Sequence, residues 1–270
     1  MTRSGIINFG NICFLNSTIQ FLISMDILVK EINSIDIYQN FMDHYNQENE
    51  ASTPAVVNPG EIYHHYCQLN PLYQGGSQGD AQECLVLFLD YFASQRMFHS
   101  FKITFKQFIL RLNEPEKSKE RFSASIITEN ILNCEFSASL EESINNYMSE
   151  DNHPILKKYE ISIFPQYLCI SVKRFNTTFE DGNYVSCKND TPMSISSELV
   201  LGYFTYQLIG FIFHHGTIEN GHYIYYGLVK DNDSEHWMVF NDHLVFGVQT
   251  EHALQMACRG YIYLYSLIET

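Results

Sequence analysis

The spacing of apolar residues changes period along this chain, and that change limits the fold more than any other feature. After Cys13, Leu15, Ile19, Leu22 and Met25 recur at helical spacing; from Asp80 onward Leu85, Phe88, Leu89 and Phe92 form a second stripe of the same kind. Beyond Gln166 the runs YLCISVKRF, YQLIGFIFHH, HYIYYGLV, WMVF and GYIYLY are short, rich in β-branched and aromatic residues, and separated by loops, as in an antiparallel sheet. Helices gathered early and strands gathered late predict an α+β architecture rather than alternating βαβ units. Nothing repeats at a fixed period.

Between these halves lie two strand-like runs, FKITFKQFILRL and SASIITENILNCEF, divided by the charged stretch NEPEKSKERF. A helix is expected at LEESINNYM, where Ser139 and Glu142 have capping-box spacing. The polar stretch DHYNQENEASTPAVVNPG reads as a loop. With 270 residues, 45% hydrophobic and 14% aromatic, the chain has enough apolar surface for one well-packed domain. It has neither a signal-peptide pattern nor an apolar run of membrane-spanning length, so a soluble protein with no membrane partner is expected. Seven cysteines, an odd number, predict free thiols in a cytoplasmic or nuclear setting. A formal charge of −15 argues against nucleic-acid binding.

Within this frame the segment GIINFGNICFLNSTIQFL stands out. A turn marked by glycine and asparagine delivers Cys13 to the start of the first helical stripe, where unpaired N–H groups and the helix dipole favour a thiolate. A cysteine between Ile12 and Phe14 is by default a small core residue. It becomes a nucleophile only with a base and a group that orients the base. The segment FHHGTIENGHYIYYG supplies His222 at the start of a strand. WMVFNDHLVF then places Asn241 and Asp242 at a strand end, one able to hold the imidazole and the other to order its surroundings, although Asn-Asp is also ordinary turn chemistry.

These segments resemble the Cys and His boxes of the ubiquitin-specific proteases, papain-like cysteine peptidases. Gly5, Asn8, Gly10, Asn11, Cys13 and Asn16 meet the first family signature, with Ile12 and Phe14 as substitutions. Gln78, Gly79, Asp80, Ala81, Gln82, Glu83, Cys84 and Leu85 approximate the second. The strand ending at Arg174 and Phe175, the Gly-His-Tyr of Gly221, His222 and Tyr223, and the closing GYIYLY follow in family order.

The resemblance implies a hand-like fold: a helical thumb over about residues 1–98, fingers over about 99–165, and an antiparallel palm over about 166–270. It implies a thiol-dependent deubiquitinase that cleaves after the C-terminal glycine of ubiquitin. Ubiquitin and ubiquitinated proteins would be the partners, with no cofactor and a monomeric enzyme. The alternatives are a protease for another ubiquitin-like modifier and a silent ubiquitin-binding module. Cys13 would attack, His222 would carry the proton, Asn241 would orient it, Asn8 would donate to the oxyanion, and Asp242 would order the site. Gln78, Asp80, Glu83, Gly221 and Tyr223 would meet the substrate tail. Asp80 and Glu83 would bind its arginines or cap a helix, and both roles can hold in part. Asn8 would otherwise stabilise its turn, and Gly221 would leave room for a narrow channel. Many family members hold zinc in the fingers through paired cysteines, whereas Cys13, Cys67, Cys84, Cys134, Cys169, Cys187 and Cys258 contain no pair at ligand spacing, so no metal is expected. The fingers read as shortened over 150–165. Only twelve residues precede Cys13, which left no room for a recruiting domain in this reading.

Overall fold

A computed structural model describes residues 3–25, 36–50, 56–74, 76–94, 100–180, 182–218, 220–231 and 234–268. The helical part begins with a short strand, β1 (Gly5–Ile6), followed by α1 (Cys13–Ser24) and α2 (Asp36–Glu50). Strand β2 (Val56–Val57), α3 (Gly60–Leu69) and α4 (Ala81–Ser94) complete it. β1 and β2 pair in parallel.

Helix α1 is the central member, buried on every side from Cys13 to Ile23. A helix with no solvent face must satisfy its polar side chains internally. Thr18 Oγ1 donates to the Phe14 carbonyl at 2.8 Å, and Gln20 Nε2 donates to the Ser4 carbonyl at 3.1 Å. Gln20 Oε1 in turn accepts from the Tyr45 hydroxyl at 2.9 Å. The stripe in α4 is buried at Leu85, Phe88, Leu89 and Phe92, each worth about 1.5–3 kcal/mol of transfer free energy.

The strands follow in order: β3 (Ile103–Arg111), β4 (Phe122–Glu129), β5 (Leu132–Glu135), α5 (Leu140–Met148), β6 (Ser149–Asn152), β7 (Ile155–Ile163) and β8 (Tyr167–Lys173). Then come β9 (Phe175–Glu180), β10 (Asn183–Lys188), β11 (Glu198–Leu201), β12 (Phe204–Gly216), β13 (Gly221–Asp231) and β14 (Ser234–Asn241). β15 (Leu244–Val248), α6 (Thr250–Ala257) and β16 (Gly260–Leu267) close the chain. The main sheet has the order β15-β14-β13-β12-β16-β8-β5, with β11 paired to β12. All its pairings are antiparallel except that of β5 with β8. A second sheet, β4-β3-β7-β6, projects from one side, and β9 and β10 form a separate ribbon.

The main sheet is covered on both faces. Thumb helices pack with Ile212, Tyr225 and Leu264 on one side. On the other, α5, α6 and the root of the second sheet pack with Phe211, Tyr263 and Tyr265. Two-sided burial explains why β12 reads as the near-continuous apolar run LIGFIF instead of an alternation.

Three readings of the sequence need correction. The polar stretch after residue 42 is not all loop, because α2 continues through Glu50 with Tyr38, Phe41, Met42 and Tyr45 buried along one face. Residues 51–55, the rest of that stretch's centre, lie outside the described residues, as does the expected thumb boundary near residue 98. SASIITENILNCEF is two strands in two sheets: it breaks after Glu129, and β5 crosses to pair with β8, carrying Leu132 and Cys134 into the palm core. The ribbon β9–β10, the edge strands β11 and β15, and α6 were not anticipated. The capping box forms with a shift: Ser139 Oγ accepts from the Glu142 N–H, while Glu142 Oε2 accepts from Ala138, one residue before the cap.

Arg174, only 2% exposed, fastens the palm loops together. Its Nε donates to the Gly260 carbonyl at 2.6 Å, and Nη2 to that of Cys258 at 2.9 Å. Nη1 donates to the carbonyls of Asn189 and Thr191 at 3.0 and 2.9 Å. Arg174→Met would leave four carbonyls without this donor set, and we expect a loss of about 3 kcal/mol or more in urea unfolding. Arg174→Lys should recover little of it, since one ammonium cannot reproduce the fork.

Candidate active site

The loop before α1 needs left-handed backbone at two successive residues, Gly10 at φ 107° and Asn11 at φ 59°. Glycine takes such angles freely and asparagine tolerates them. Asn8 Oδ1 organises the turn by accepting from the N–H groups of Gly10 at 2.8 Å and Ile12 at 3.3 Å. The helix then starts at Cys13 with no side chain capping its first turn. The donors and positive dipole end stand at the sulfur, which is buried.

β13 begins one residue before His222, and the end of β14 brings Asn241 beside it, with His222 Nε2 2.6 Å from Asn241 Oδ1. An amide oxygen only accepts, so Nε2 carries the proton and Nδ1 is left for the thiol. The hydrogen bond with Cys13 is the largest influence on His222; with the Asn241 bond and the charges of Cys13 and Asp242, it outweighs burial and raises the imidazole pKa to about 9. The imidazolium is therefore favoured.

Asp242 occupies the left-handed region at φ 51° and turns its carboxylate into the thumb. Oδ2 accepts from Asn8 Nδ2 at 2.8 Å, and Oδ1 accepts from Asn16 Nδ2 at 2.7 Å. Its Oδ2 also lies 3.7 Å from His222 Nε2. Asn241 thus bonds the imidazole while the Asp242 carboxylate bonds the two thumb asparagines. Asn16 is buried in α1, and the motif alone does not show this partnership; its signal in the sequence is its place one turn after Cys13.

A cleft of about 480 Å³ leads away from this centre, walled by Gln78, Asp80, Glu83, His214, Tyr223 and Tyr261. Here the expectations are revised. Both oxygens of Asp80 are engaged: Oδ1 accepts from the N–H groups of Gln82 and Glu83 and from the Tyr261 hydroxyl, and Oδ2 from the Tyr223 hydroxyl. Burial raises its pKa, and these hydrogen bonds oppose the rise. The two backbone bonds are those of a helix cap, and Asp80 also lines the cleft. Tyr223 is buried and spends its hydroxyl on that carboxylate instead of offering it to the cleft. Glu83 is the exposed acid, held by the Tyr73 hydroxyl at 2.6 Å. Gln78 spans the cleft, its Nε2 donating to the Gly221 carbonyl at 3.1 Å.

Gly221 does not open a channel either. The space its missing side chain would fill is taken by His214 Nε2, 2.0 Å from an ideal Cβ, and by the Thr217 carbonyl at 2.6 Å. His214, on β12, is the residue that demands glycine there. It packs against Phe175 and Tyr223, and burial, aided by the charge of Lys188, lowers its pKa to about 4.

Among the described residues, no group of three or more His, Cys, Asp and Glu could hold a metal ion. All seven cysteines are free, and no described helix is long and apolar enough to cross a membrane.

A helix N-terminus presenting a buried thiol to a histidine and an asparagine on an antiparallel sheet defines a papain-like thiol-hydrolase arrangement. Residues 4–265 match the family model described as ubiquitin carboxyl-terminal hydrolase, and the chain belongs to that family. Ubiquitin carboxyl-terminal hydrolase 1 of Arabidopsis thaliana is 33% identical over 94 residues, which are 32% of this chain and 9% of that much longer protein. Among solved structures, the SAGA DUB module of Ubp8, Sgf11, Sus1 and Sgf73 bound to monoubiquitin aligns at TM-score 0.75 and 19% identity, covering 99% of this chain and 69% of that one. The same module bound to ubiquitin aldehyde aligns at TM-score 0.76 and 19% identity, with 99% and 70% covered. At that identity the likeness establishes the hand-like fold.

The raised His222 pKa sets a pH dependence. Transfer of a proton to the leaving amine requires the imidazolium, so the alkaline limb of kcat/KM should fall as pH rises through about 9. The Asn241 hydrogen bond favours the charged ring, so Asn241→Ala should lower kcat and move this limb to lower pH. Asn241→Asp should stay active, because an acceptor is retained. A limb unmoved in Asn241→Ala would mean that Asn241 does not hold the imidazole.

Proposed function

We propose that this chain is a thiol-dependent deubiquitinase that hydrolyses the isopeptide or peptide bond after the C-terminal glycine of ubiquitin. The observation that carries the reading is the aligned Cys13, His222 and Asn241 within a chain of the ubiquitin carboxyl-terminal hydrolase family. The Cys13 thiolate attacks the carbonyl carbon of that glycine. Collapse of the tetrahedral intermediate breaks the C–N bond, and the His222 imidazolium gives its proton to the departing lysine amine. His222, now neutral, takes a proton from water, which attacks the thioester. The glycine carboxylate leaves and the thiolate returns.

The oxyanion would be met by first-turn N–H groups of α1 and by the second hydrogen of Asn8 Nδ2, the first being held by Asp242. Ubiquitin as the partner is supported by the family and by the two solved relatives, each of which holds it. Glu83 is the residue we assign to the tail arginines, because its carboxylate is exposed and accepts one hydrogen bond while that of Asp80 is part-buried and accepts four. A reducing cytoplasmic or nuclear compartment belongs to the same reading, since a catalytic thiol and six further unbridged cysteines would be preserved there.

Cys13→Ser should abolish hydrolysis of a fluorogenic ubiquitin amide while retaining ubiquitin binding; hydrolysis near wild type would remove Cys13 from the mechanism. Glu83→Ala should raise KM for intact ubiquitin but have little effect on a ubiquitin whose tail arginines are replaced by alanine. Asp80→Ala should instead lower thermal stability, by about 2 kcal/mol or more through the lost cap and the stranded tyrosine hydroxyls. If Asp80→Ala discriminated between the two ubiquitins and Glu83→Ala did not, the assignment would be reversed.

A further inference from the structure

The strands carrying the site are ordered across the sheet. Tyr261 on β16, His214 on β12 and Tyr223 on β13 wall the tail cleft. His222 follows on β13, Asn241 at the end of β14, and β15 is the last strand on that side. The two halves of an isopeptide substrate leave the scissile bond in opposite directions. With the ubiquitin tail in the cleft, the lysine side runs toward β14 and β15.

β15 is built unlike a protected edge. Its sequence LVFGV has no charge and no proline, the devices that usually blunt an exposed strand. Leu244 and Phe246 stand 51% and 49% exposed. Leu244 is paired with Asn241 itself, so the apolar surface begins at the active site. Among the described residues β15 is hydrogen-bonded along its length only to β14, and β1 lies beside its active-site end, where the Ile6 N–H donates to the Asp242 carbonyl, so the open edge is the part from Val245 onward. The two-residue turn makes Asn241 and Leu244 the closing pair, which directs the backbone groups of Val245 and Gly247 away from β14. Farther along, an open depression of about 590 Å³ is lined by His236, Trp237, Gly247, Val248, Gln249 and His252.

We propose, on the reading of this chain as a ubiquitin isopeptidase, that the free edge of β15 docks the segment of the modified protein flanking the target lysine. That segment would be extended, adding a strand beside β15, with apolar side chains at alternate positions against Leu244, Phe246 and the depression beyond. The surface is continuous with the site and lies where the leaving group must emerge, so its occupant is the lysine-bearing chain and not the ubiquitin body.

The test compares three substrates with the full chain: ubiquitin aminomethylcoumarin, ubiquitin joined to the lysine of a short peptide with valines two residues to either side, and the same conjugate with serines there. Wild type should show a KM roughly tenfold lower for the valine conjugate. Phe246→Ser should erase that difference while coumarin release is unchanged. Gly247→Pro should do the same by removing the outward N–H, and the edge tolerates it because that N–H is not used by β14 and an added Cβ meets nothing nearer than Met238 Sδ at 3.8 Å. Equal KM values for the two conjugates in wild type would overturn the proposal. So would losses of the same size on coumarin and conjugate in both variants, which would mark the edge as structural. Absence of coumarin release by wild type is a separate outcome, which removes the deubiquitinase reading and this proposal with it.

Discussion

The Asp242 carboxylate joins the two halves of this molecule, and the active site depends on that join. It is almost entirely shielded from water, and a carboxylate so placed requires donors. Both come from the thumb: Asn8 from the loop before α1, and Asn16 from within it. The backbone adds to the contact, since the Asp242 carbonyl accepts from the Ile6 N–H at 2.9 Å. The turn that ends β14 is thereby locked onto the segment that presents Cys13, and the sulfur and the imidazole are registered from opposite layers.

The same carboxylate connects fold to chemistry. It is close enough to His222 to favour the charged ring, while Asn241 supplies the directed acceptor that a more distant charge cannot. An asparagine in the orienting position gives geometry without full charge, and Asp242 next to it restores part of the missing electrostatics. Stability and proton affinity are therefore not separable here. The hydrogen bonds that hold thumb to palm also aim the charge that tunes the base.

The cleft beside the site follows a different logic. Its walls are made of groups already bonded to one another: Asp80 with Tyr223 and Tyr261, Gln78 with Gly221, and His214 packed between aromatic rings. The polar groups of its walls are thus largely satisfied by one another, leaving few free donors on the floor. Glu83 at the rim remains open to an incoming cation. The acidic pair is thus split between a residue that builds the wall and a residue that faces outward.

Much of this was written locally in the sequence. The period-3.6 stripes of α1 and α4, the β-rich runs of the palm and the start of a helix at Cys13 depend on neighbouring residues, so local pattern reveals them. His222 and Asn241 were legible because each sits at the end of a recognisable strand. What pattern could not reveal was which partner each polar group would take. Asp80 has the same local sequence whether it caps a helix or binds a ligand, and only the arrival of Tyr223 and Tyr261, more than a hundred residues away, commits its oxygens. SASIITENILNCEF carries no mark at Asn130 that one half will leave for another sheet, because strand pairing is decided by long-range burial. Gly221 looked like an opening until the ring of His214 filled the space. The sequence alone determined the residue types, their order and the elements that bear them; the tertiary structure decided the pairing of buried polar groups, since each must find a partner from whichever element packing brings within hydrogen-bond reach.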